Sequence, residues 1–376
     1  MFKVKVKIGI IGTGNISSLH ASGFKSHPNA EIVAVCDKRR KKAESMAAQW
    51  GVKRVYKDYN DLLNQPDIDA VSILTPHYLH APMTIAAAEA GKHVLVEKPI
   101  AMNLDDADRM TRAAEKAGVF LMVAENQVFH PPHVEAKKLI ERGEIGVPVM
   151  IRLSLGWGTG KLPDEPAGFA KALAAFEERY LRINPDWEAG DMWRLDPAKR
   201  GGGSLIDEGH HRFSVADYLL GQFENIFAYL DERWFEQYGF SWEYAGIVGW
   251  KYLRKKCYGV LCTHLGGPEF IQSEGGSIFD DRIELTGSNG YLWIRGCEGK
   301  IMDAPPLQLL TKHGLKSFPN IQTGYTAGFV EMTHHFVDSL LNDKPPRFTG
   351  EDGKRILRII LSAYESARER KMIYIT

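Results

Sequence analysis

Two stretches place ionisable side chains where regular structure gives way, and they define the chemistry to look for. The first is Val94–Ile100, VLVEKPI. A lysine directly after an apolar strand, followed by a proline that fixes φ, stands over whatever binds at that strand end. A solvated charge at a strand terminus is the competing reading of Lys98. The second is Gly201–His211, GGGSLIDEGHH. On a helix starting near Gly203, Asp207 and His211 are four residues apart and share a face, whereas His210 points elsewhere. A carboxylate beside an imidazole orients the ring and supports its charged form, which suits general acid–base chemistry. An ordinary i,i+4 ion pair at a helix start is the alternative. The glycines let a backbone approach a ligand, or simply form a loop.

The opening run Val4–Ser17, VKVKIGIIGTGNIS, supplies the element that such groups would serve. A buried strand over Val6–Ile11 breaks at Gly12-Thr13-Gly14 and turns into a helix near Asn15. In a dinucleotide-binding unit the first glycine makes a tight turn and the second lets the pyrophosphate approach the backbone. The third small residue, here Ser17, lets helix pack on strand. The helix N-terminus then presents N–H groups and partial positive charge to phosphate. A second apolar strand, Glu31–Asp37, ends in an acid about 20 residues past Gly14, where a ribose hydroxyl is bound. Asp37 favours NAD, because a 2′-phosphate would meet its charge. Lys38, Arg39 and Arg40 follow at once and could offset it, so NADP remains open.

Further along, strands are expected over Ala70–Leu74, His93–Val96 and Val119–Ala124. Helices are expected over Lys38–Trp50, Asp58–Leu63, His80–Ala90 and Leu104–Ala117. Short apolar strands alternating with helices imply a doubly wound parallel sheet. Its carboxyl ends, where such folds bind ligands, fall at Gly12–Ile16, Asp37, Thr75–His77, Glu97-Lys98 and Glu125-Asn126. After Phe129-His130-Pro131-Pro132 the pattern changes. A helix over Val134–Arg142 leads into longer alternating runs at Val149–Leu155, Ile226–Leu230, Ala245–Tyr252 and Val260–His264. Arg282–Thr286 and Tyr291–Arg295 flank a hairpin signal. An irregular Gly/Pro/Trp-rich stretch, 156–197, and a helix over Gly203–Leu220 lie between. Helices over Phe329–Leu341 and Glu351–Arg370, the latter capped by Thr349, close the chain. The fold class is therefore α/β: a Rossmann-type domain over 1–127 and an α+β domain over 128–376 with a large, mostly antiparallel open sheet.

The 376 residues suit two domains. Lys plus Arg and Asp plus Glu balance at 47 each, which removes the electrostatic case for nucleic acid or an anionic membrane. Cys36, Cys257, Cys262 and Cys297 form no C-x-x-C pair, as expected in a reducing cytoplasm. Lysines alternate with apolar residues at the start and no h-region is seen, so a cytoplasmic protein without a membrane span is expected. The histidines at 77, 80, 210, 211, 334 and 335 show no H-E-x-x-H or Cys/His ligand spacing, and no metal is expected. Neither a nucleophile elbow nor a P-loop occurs.

Taken in order, GIIGTGNIS, VSILTPHYLH, GKHVLVEKPI and GGGSLIDEGHH resemble the Gfo/Idh/MocA family, which includes glucose-fructose oxidoreductase and inositol dehydrogenases. The resemblance covers essentially the whole chain, because ERGEIGVP and the closing helix are also similar. It implies an N-terminal Rossmann domain, a C-terminal α/β domain whose open sheet mediates dimers or tetramers, and NAD or NADP as cofactor. Cofactor contacts are implied at Gly12, Thr13, Gly14, Asn15, Ile16, Asp37, Lys38, Thr75, Pro76, His77, His80, Glu97, Lys98 and Asn126. The family's E-K-P lysine falls on Lys98, and its D-x-G-x-H aspartate and histidine on Asp207 and His211. Where relatives often carry an acid three residues after that histidine, this chain has Ser214.

What the resemblance implies is hydride transfer between a secondary hydroxyl of a sugar, cyclitol or glycoside and the nicotinamide. Lys98 holds the hydroxyl, His211 takes its proton and Asp207 orients His211. Trp157, Trp193, Arg194 and His210 are candidates for the sugar site, since aromatic faces suit pyranose rings. Two other classes stay open. One is a glycoside-modifying or glycoside-cleaving enzyme that retains its cofactor, for which 156–196 would shape a deeper site. The other is a nucleotide-sensing regulator without catalysis, against which Lys98, Asp207 and His211 argue.

Overall fold

The computed structural model describes residues 5–157, 193, 196–231, 243, 245–265, 279–295 and 304–375. They divide into two units. The first draws on Met1–Asn126, Leu181–Gly201 and Phe329–Leu357, and the second on Gln127–Tyr180, Gly202–Gly328 and Arg358–Thr376.

Apolar runs stopped by Gly, Pro or an acid build the sheet of the first unit. Its strands are β1 (Val6–Ile11), β2 (Ala30–Cys36), β3 (Arg54–Tyr56), β4 (Ala70–Ile73), β5 (His93–Glu97) and β6 (Leu121–Ala124). All pair in parallel, in the order β3-β2-β1-β4-β5-β6. Ile8, Ile10, Val35, Val71, Val94, Leu95 and Val96 are fully buried, as strands covered on both faces require. Each such side chain contributes roughly 1.5–3 kcal/mol on leaving water. The strand order reverses between β1 and β4, which opens the crevice where doubly wound sheets bind ligands.

The connecting helices are α1 (Ser17–Ser26), α2 (Arg40–Trp50), α3 (Tyr59–Leu63), α4 (His80–Glu89) and α5 (Leu104–Ala117). Asp58 caps α3 by accepting from the Asn60 N–H, and Asn103 caps α5 by accepting from that of Asp106. α5 ends at Gly118, whose left-handed conformation stops the helix. β3 escapes sequence reading because three half-buried residues carry no readable period. At the other sheet edge the chain returns, with Val123 N donating to Phe348 O and Met122 bridged to Thr349. Thr349 and Asp352 then cap each other at the start of the helix Gly350–Glu369.

The second unit begins with α6 (Pro131–Glu141), earlier than the apolar period suggests, because Pro131 and Pro132 sit where helical N–H groups have no acceptor anyway. Its sheet contains β7 (Pro148–Trp157), β8 (Phe223–Asp231), β9 (Ala245–Tyr252), β10 (Tyr258–Leu265), β11 (Phe279–Gly287), β12 (Gly290–Arg295), β13 (Leu307–Thr311), β14 (Gly314–Ser317) and β15 (Ile373–Tyr374). Their order is β14-β13-β12-β11-β7-β10-β9-β8-β15, antiparallel throughout except for the β7–β10 pair. β11 and β12 form the expected hairpin, with Thr286 opposite Tyr291. One sheet face is apolar: Ile151, Leu153, Leu155, Val248, Leu261, Ile283 and Leu292 are buried. The helix His210–Leu220 covers part of it, with the Phe213 ring edge-on to Phe223 and Trp250 and the Tyr252 hydroxyl donating to Ala216 O.

The helix predicted over Gly203–Leu220 is two structures. Leu205–Gly209 winds as a π-turn and only His210–Leu220 is α-helical. The wider turn changes the angular step, so the α-helical i,i+4 phase does not strictly apply to Asp207 and His211. Among the described residues no helix is long and apolar enough to cross a membrane.

Candidate active site

The ends of β1, β2 and β4 are stitched together before any ligand is considered. Gly12 N donates to Cys36 O at 2.8 Å, and Leu74 N to Ile11 O at 2.7 Å. Gly12 has φ +99°, and a Cβ there would lie 2.5 Å from Leu74 O, so only glycine fits. A Cβ on Gly14 would meet no atom of the described residues within 4 Å. Packing therefore does not require glycine at 14, whereas close approach of a phosphate to the backbone does. Ser17 closes the turn, its hydroxyl and N–H both donating to Gly14 O, and α1 starts there, not at Asn15.

Asp37, at the end of β2, is buried and accepts four bonds. Thr13 N and Oγ1 donate to its Oδ2 at 2.9 and 2.7 Å. Arg39 N and Nε donate to its Oδ1 at 2.9 and 3.3 Å. Burial pushes the Asp37 pKa up, but the N–H groups of Arg39 and Thr13 and the Arg39 guanidinium outweigh it, so the group titrates below the ordinary value.

Around Lys98, at the end of β5, sits a braced turn. Glu97 Oε1 is 2.8 Å from His20 Nε2, and its Oε2 accepts from Lys98 N at 3.1 Å. Ser72, on neighbouring β4, lies 3.2 Å from the other nitrogen of His20. Burial raises the Glu97 pKa, but the bond and charge of His20, with Lys98 and His80, bring it below its usual value. His80 is fully buried, with Nδ1 and Nε2 at 2.8 and 2.9 Å from the carbonyl oxygens of Pro99 and Thr75. It thus ties the lysine turn to the loop after β4. Burial holds its pKa below the imidazole value against the pull of both carbonyls and Glu97. His77, on the same loop, lies 2.8 Å from Arg200 O through Nδ1 and packs edge-on to Trp193 with ring centres 4.5 Å apart.

Two buried polar atoms on these loops, Thr75 Oγ1 and Asn126 Nδ2, have no hydrogen-bond partner among the described residues. Buried polar groups are ordinarily paired, so a ligand presenting a donor and an acceptor at these strand ends accounts for both. With the open space over Gly14 and the positive end of α1, the residues of the first unit fit a dinucleotide.

In the second unit the π-turn and the following helix carry Asp207, His210 and His211. Asp207 and His210 are buried, and His211 is half-buried. His210 Nδ1 lies 3.5 Å from Ser214 Oγ, so the serine at the family's acid position contacts the neighbouring ring. The predicted Gly201–Gly203 loop makes close contacts with protein groups. A Cβ on Gly202 would lie 2.8 Å from the Tyr364 hydroxyl, and one on Gly203 2.2 Å from Glu243 Oε2.

Predicted site residues therefore group as Thr13 with Asp37, Thr75 and His80 with the Glu97–Pro99 turn, and His77 with Trp193. Lys98 belongs to the first unit, and Asp207 and His211 to the second. Arg194 and the side chain of Trp157 lie outside the described residues. Sequence reading missed His20 and Ser72, which brace Glu97, and Glu243 and Tyr364. Their partners are 38 to 161 residues away, so no local motif could reveal them.

Comparison with known proteins shows the family and the fold. Residues 6–125 match the GFO_IDH_MocA model described as "Oxidoreductase family, NAD-binding Rossmann fold". Residues 137–375 match its partner, "Oxidoreductase family, C-terminal alpha/beta domain". The chain is 28% identical to myo-inositol 2-dehydrogenase of Thermotoga maritima, covering 98% of each chain. It is 26% identical to scyllo-inositol 2-dehydrogenase (NAD(+)) of Bacillus subtilis, over 97% of this chain and 94% of the other. A solved NAD binding oxidoreductase from Klebsiella pneumoniae superposes with a TM-score of 0.78 at 26% identity, over 99% of this chain and 100% of that one. The chain belongs to the Gfo/Idh/MocA family of NAD-binding oxidoreductases.

Proposed function

We propose that this protein is an NAD-dependent dehydrogenase that oxidises a secondary ring hydroxyl of a cyclitol or sugar to the ketone. The observation that carries the reading is the Lys98 turn, braced by Glu97, His20 and His80 at the carboxyl end of the sheet, where the Gly12–Ser17 turn also lies. The inositol dehydrogenases matched along nearly their whole length support the substrate class. Bound NAD supplies the hydride acceptor. The Lys98 ammonium donates to the substrate hydroxyl oxygen and favours its deprotonated form. An imidazole nitrogen of His211 takes the hydroxyl proton, and the Asp207 carboxylate orients that ring and stabilises its charge. Thr75 and Asn126 bind the cofactor, and Trp193 lies along the ring of the substrate. Asp37 takes the adenosine ribose, and its negative charge favours NAD over NADP.

We also read the protein as a cytoplasmic homo-oligomer. On the outer face of the nine-stranded sheet the register aligns Tyr229, Ile247 and Cys262 across β8, β9 and β10. It aligns Tyr258, Met150 and Tyr291 across β10, β7 and β12, with Thr286 of β11 between the last two. All six are exposed, and large apolar side chains in register on one face favour self-association. Light scattering should show a dimer or tetramer; a monomer at micromolar concentration would contradict it.

The direct test is growth of reduced-nicotinamide absorbance with NAD and a panel including myo-inositol, scyllo-inositol and aldoses. Turnover with at least one ring polyol is expected. Redox change of a bound cofactor without net turnover would replace this reading with a cofactor-retaining enzyme.

A further inference from the structure

The four N–H groups that open a helix have no partner within it. At the entry to the segment bearing Asp207 and His211, two residues distant in sequence accept from four successive N–H groups, Gly203 to Ile206. Gly203 N donates to the Tyr364 hydroxyl at 3.1 Å, and Ile206 N to the same oxygen at 3.3 Å. Ser204 N donates to the Glu243 carbonyl at 3.2 Å, and Leu205 N to Glu243 Oε1 at 2.6 Å. The Tyr364 hydroxyl in turn donates to Glu243 Oε1 at 2.8 Å, so its proton and both lone pairs are used. Glu243 is 2% exposed. Its carboxylate meets the positive end of the segment, where a negative charge is favoured. Burial and the Glu243 carboxylate raise the Tyr364 pKa well above that of a phenol, which keeps the donated proton in place. Gly203 is required for the fit, since a Cβ would strike Glu243 Oε2, Cδ and carbonyl oxygen.

We infer that Glu243 and Tyr364 are positioning residues for the proton-transfer group. By anchoring these four N–H groups at the entry to the π-turn they set its axial position and rotation, and hence where Asp207 and His211 stand. Asp207 follows the last anchored residue directly, and His211 is four residues further on. The inference rests on the catalytic roles proposed for Asp207 and His211. A side-chain displacement of about 1 Å can cost about 10²-fold in rate, which a π-turn free to rewind as α-helix would produce.

The test compares Glu243→Ala, Glu243→Gln, Gly203→Ala, Tyr364→Phe and His211→Ala. Glu243→Ala and Gly203→Ala should lower kcat about 10²-fold, with the KM for NAD within about twofold because the nucleotide residues belong to the other unit. Glu243→Gln should recover most of the rate, since its amide oxygen still accepts from Leu205 N. Tyr364→Phe, which removes only the hydroxyl and keeps the ring, should lower kcat without changing the KM for NAD, and it decides the matter if the alanine variants do not fold. Wild-type kcat in folded Glu243→Ala or Tyr364→Phe, or no recovery in Glu243→Gln, would overturn the inference. His211→Ala separates the two levels: full activity there overturns the proposed mechanism, whereas an inactive His211→Ala beside fully active capping variants overturns only the positioning role.

Discussion

Asp37 concentrates structural and functional demand on one carboxylate. Its four donors include the backbone N–H of Thr13, in the turn proposed to admit the cofactor. Removing the acceptor leaves that buried N–H unsatisfied, so Asp37→Ala should cost about 1–3 kcal/mol in denaturant unfolding. It should also weaken NAD binding about tenfold or more while raising the preference for NADP, as titration of tryptophan fluorescence would show. An unchanged ratio of the two affinities would contradict the ribose contact. The thiols make a simpler prediction. Burial, followed by the charge of Asp37, pushes Cys36 up to about 12, and burial pushes Cys257 up to about 11, whereas Cys262 is exposed. Of these three, only Cys262 should react with a thiol reagent in the native protein near pH 8. Peptide mapping after labelling checks this.

At the scale of the element, the first turn separates two uses of glycine. Gly12→Ala forces a Cβ against the Leu74 carbonyl at a positive φ, so loss of stability is expected. Gly14→Ala places a methyl group where no described residue has an atom within 4 Å. That variant should keep the wild-type Tm and lose NAD affinity about tenfold or more, because the methyl group stands in the path of the pyrophosphate. A calorimetric scan with and without NAD reads both effects. Elements defined by burial on both faces and by local punctuation were legible in the sequence: β1, β4, β5, α5 and the β11–β12 hairpin. Those defined by distant partners were not. The π-turn at Leu205–Gly209 accompanies a cap supplied from residues 243 and 364, and nothing between 201 and 211 encodes it. β3, β14 and β15 are short strands with little or no burial, so they carry no period to read. The glycine turn after β1 was legible because its spacing is local; the brace of His20 and Ser72 behind Glu97 was not.

For the molecule as a whole, two neutral imidazoles set an acid limit. Burial lowers the pKa of His93 and of His335 below 6.5, and in each case a ring nitrogen accepts a backbone N–H, from Phe120 and Arg347. The unfolded chain therefore takes up protons before the native one as pH falls through 6.5, and stability falls with it. Tm should drop between about pH 7.5 and about pH 5.5, and the drop should shrink when His93 and His335 are replaced by Gln; a flat profile would contradict the assignment. The central claim is the proposed hydride transfer, with the roles proposed for Lys98 and His211. It is tested most directly with a cyclitol deuterated at its carbinol carbons, by following the mass of the reduced nicotinamide formed by wild type, Lys98→Ala and His211→Ala. Deuterium in the wild-type product, with kcat about 10²–10⁴-fold lower in each variant and NAD binding retained, is the result expected. Unlabelled reduced cofactor, or full rates in both variants, would contradict the account.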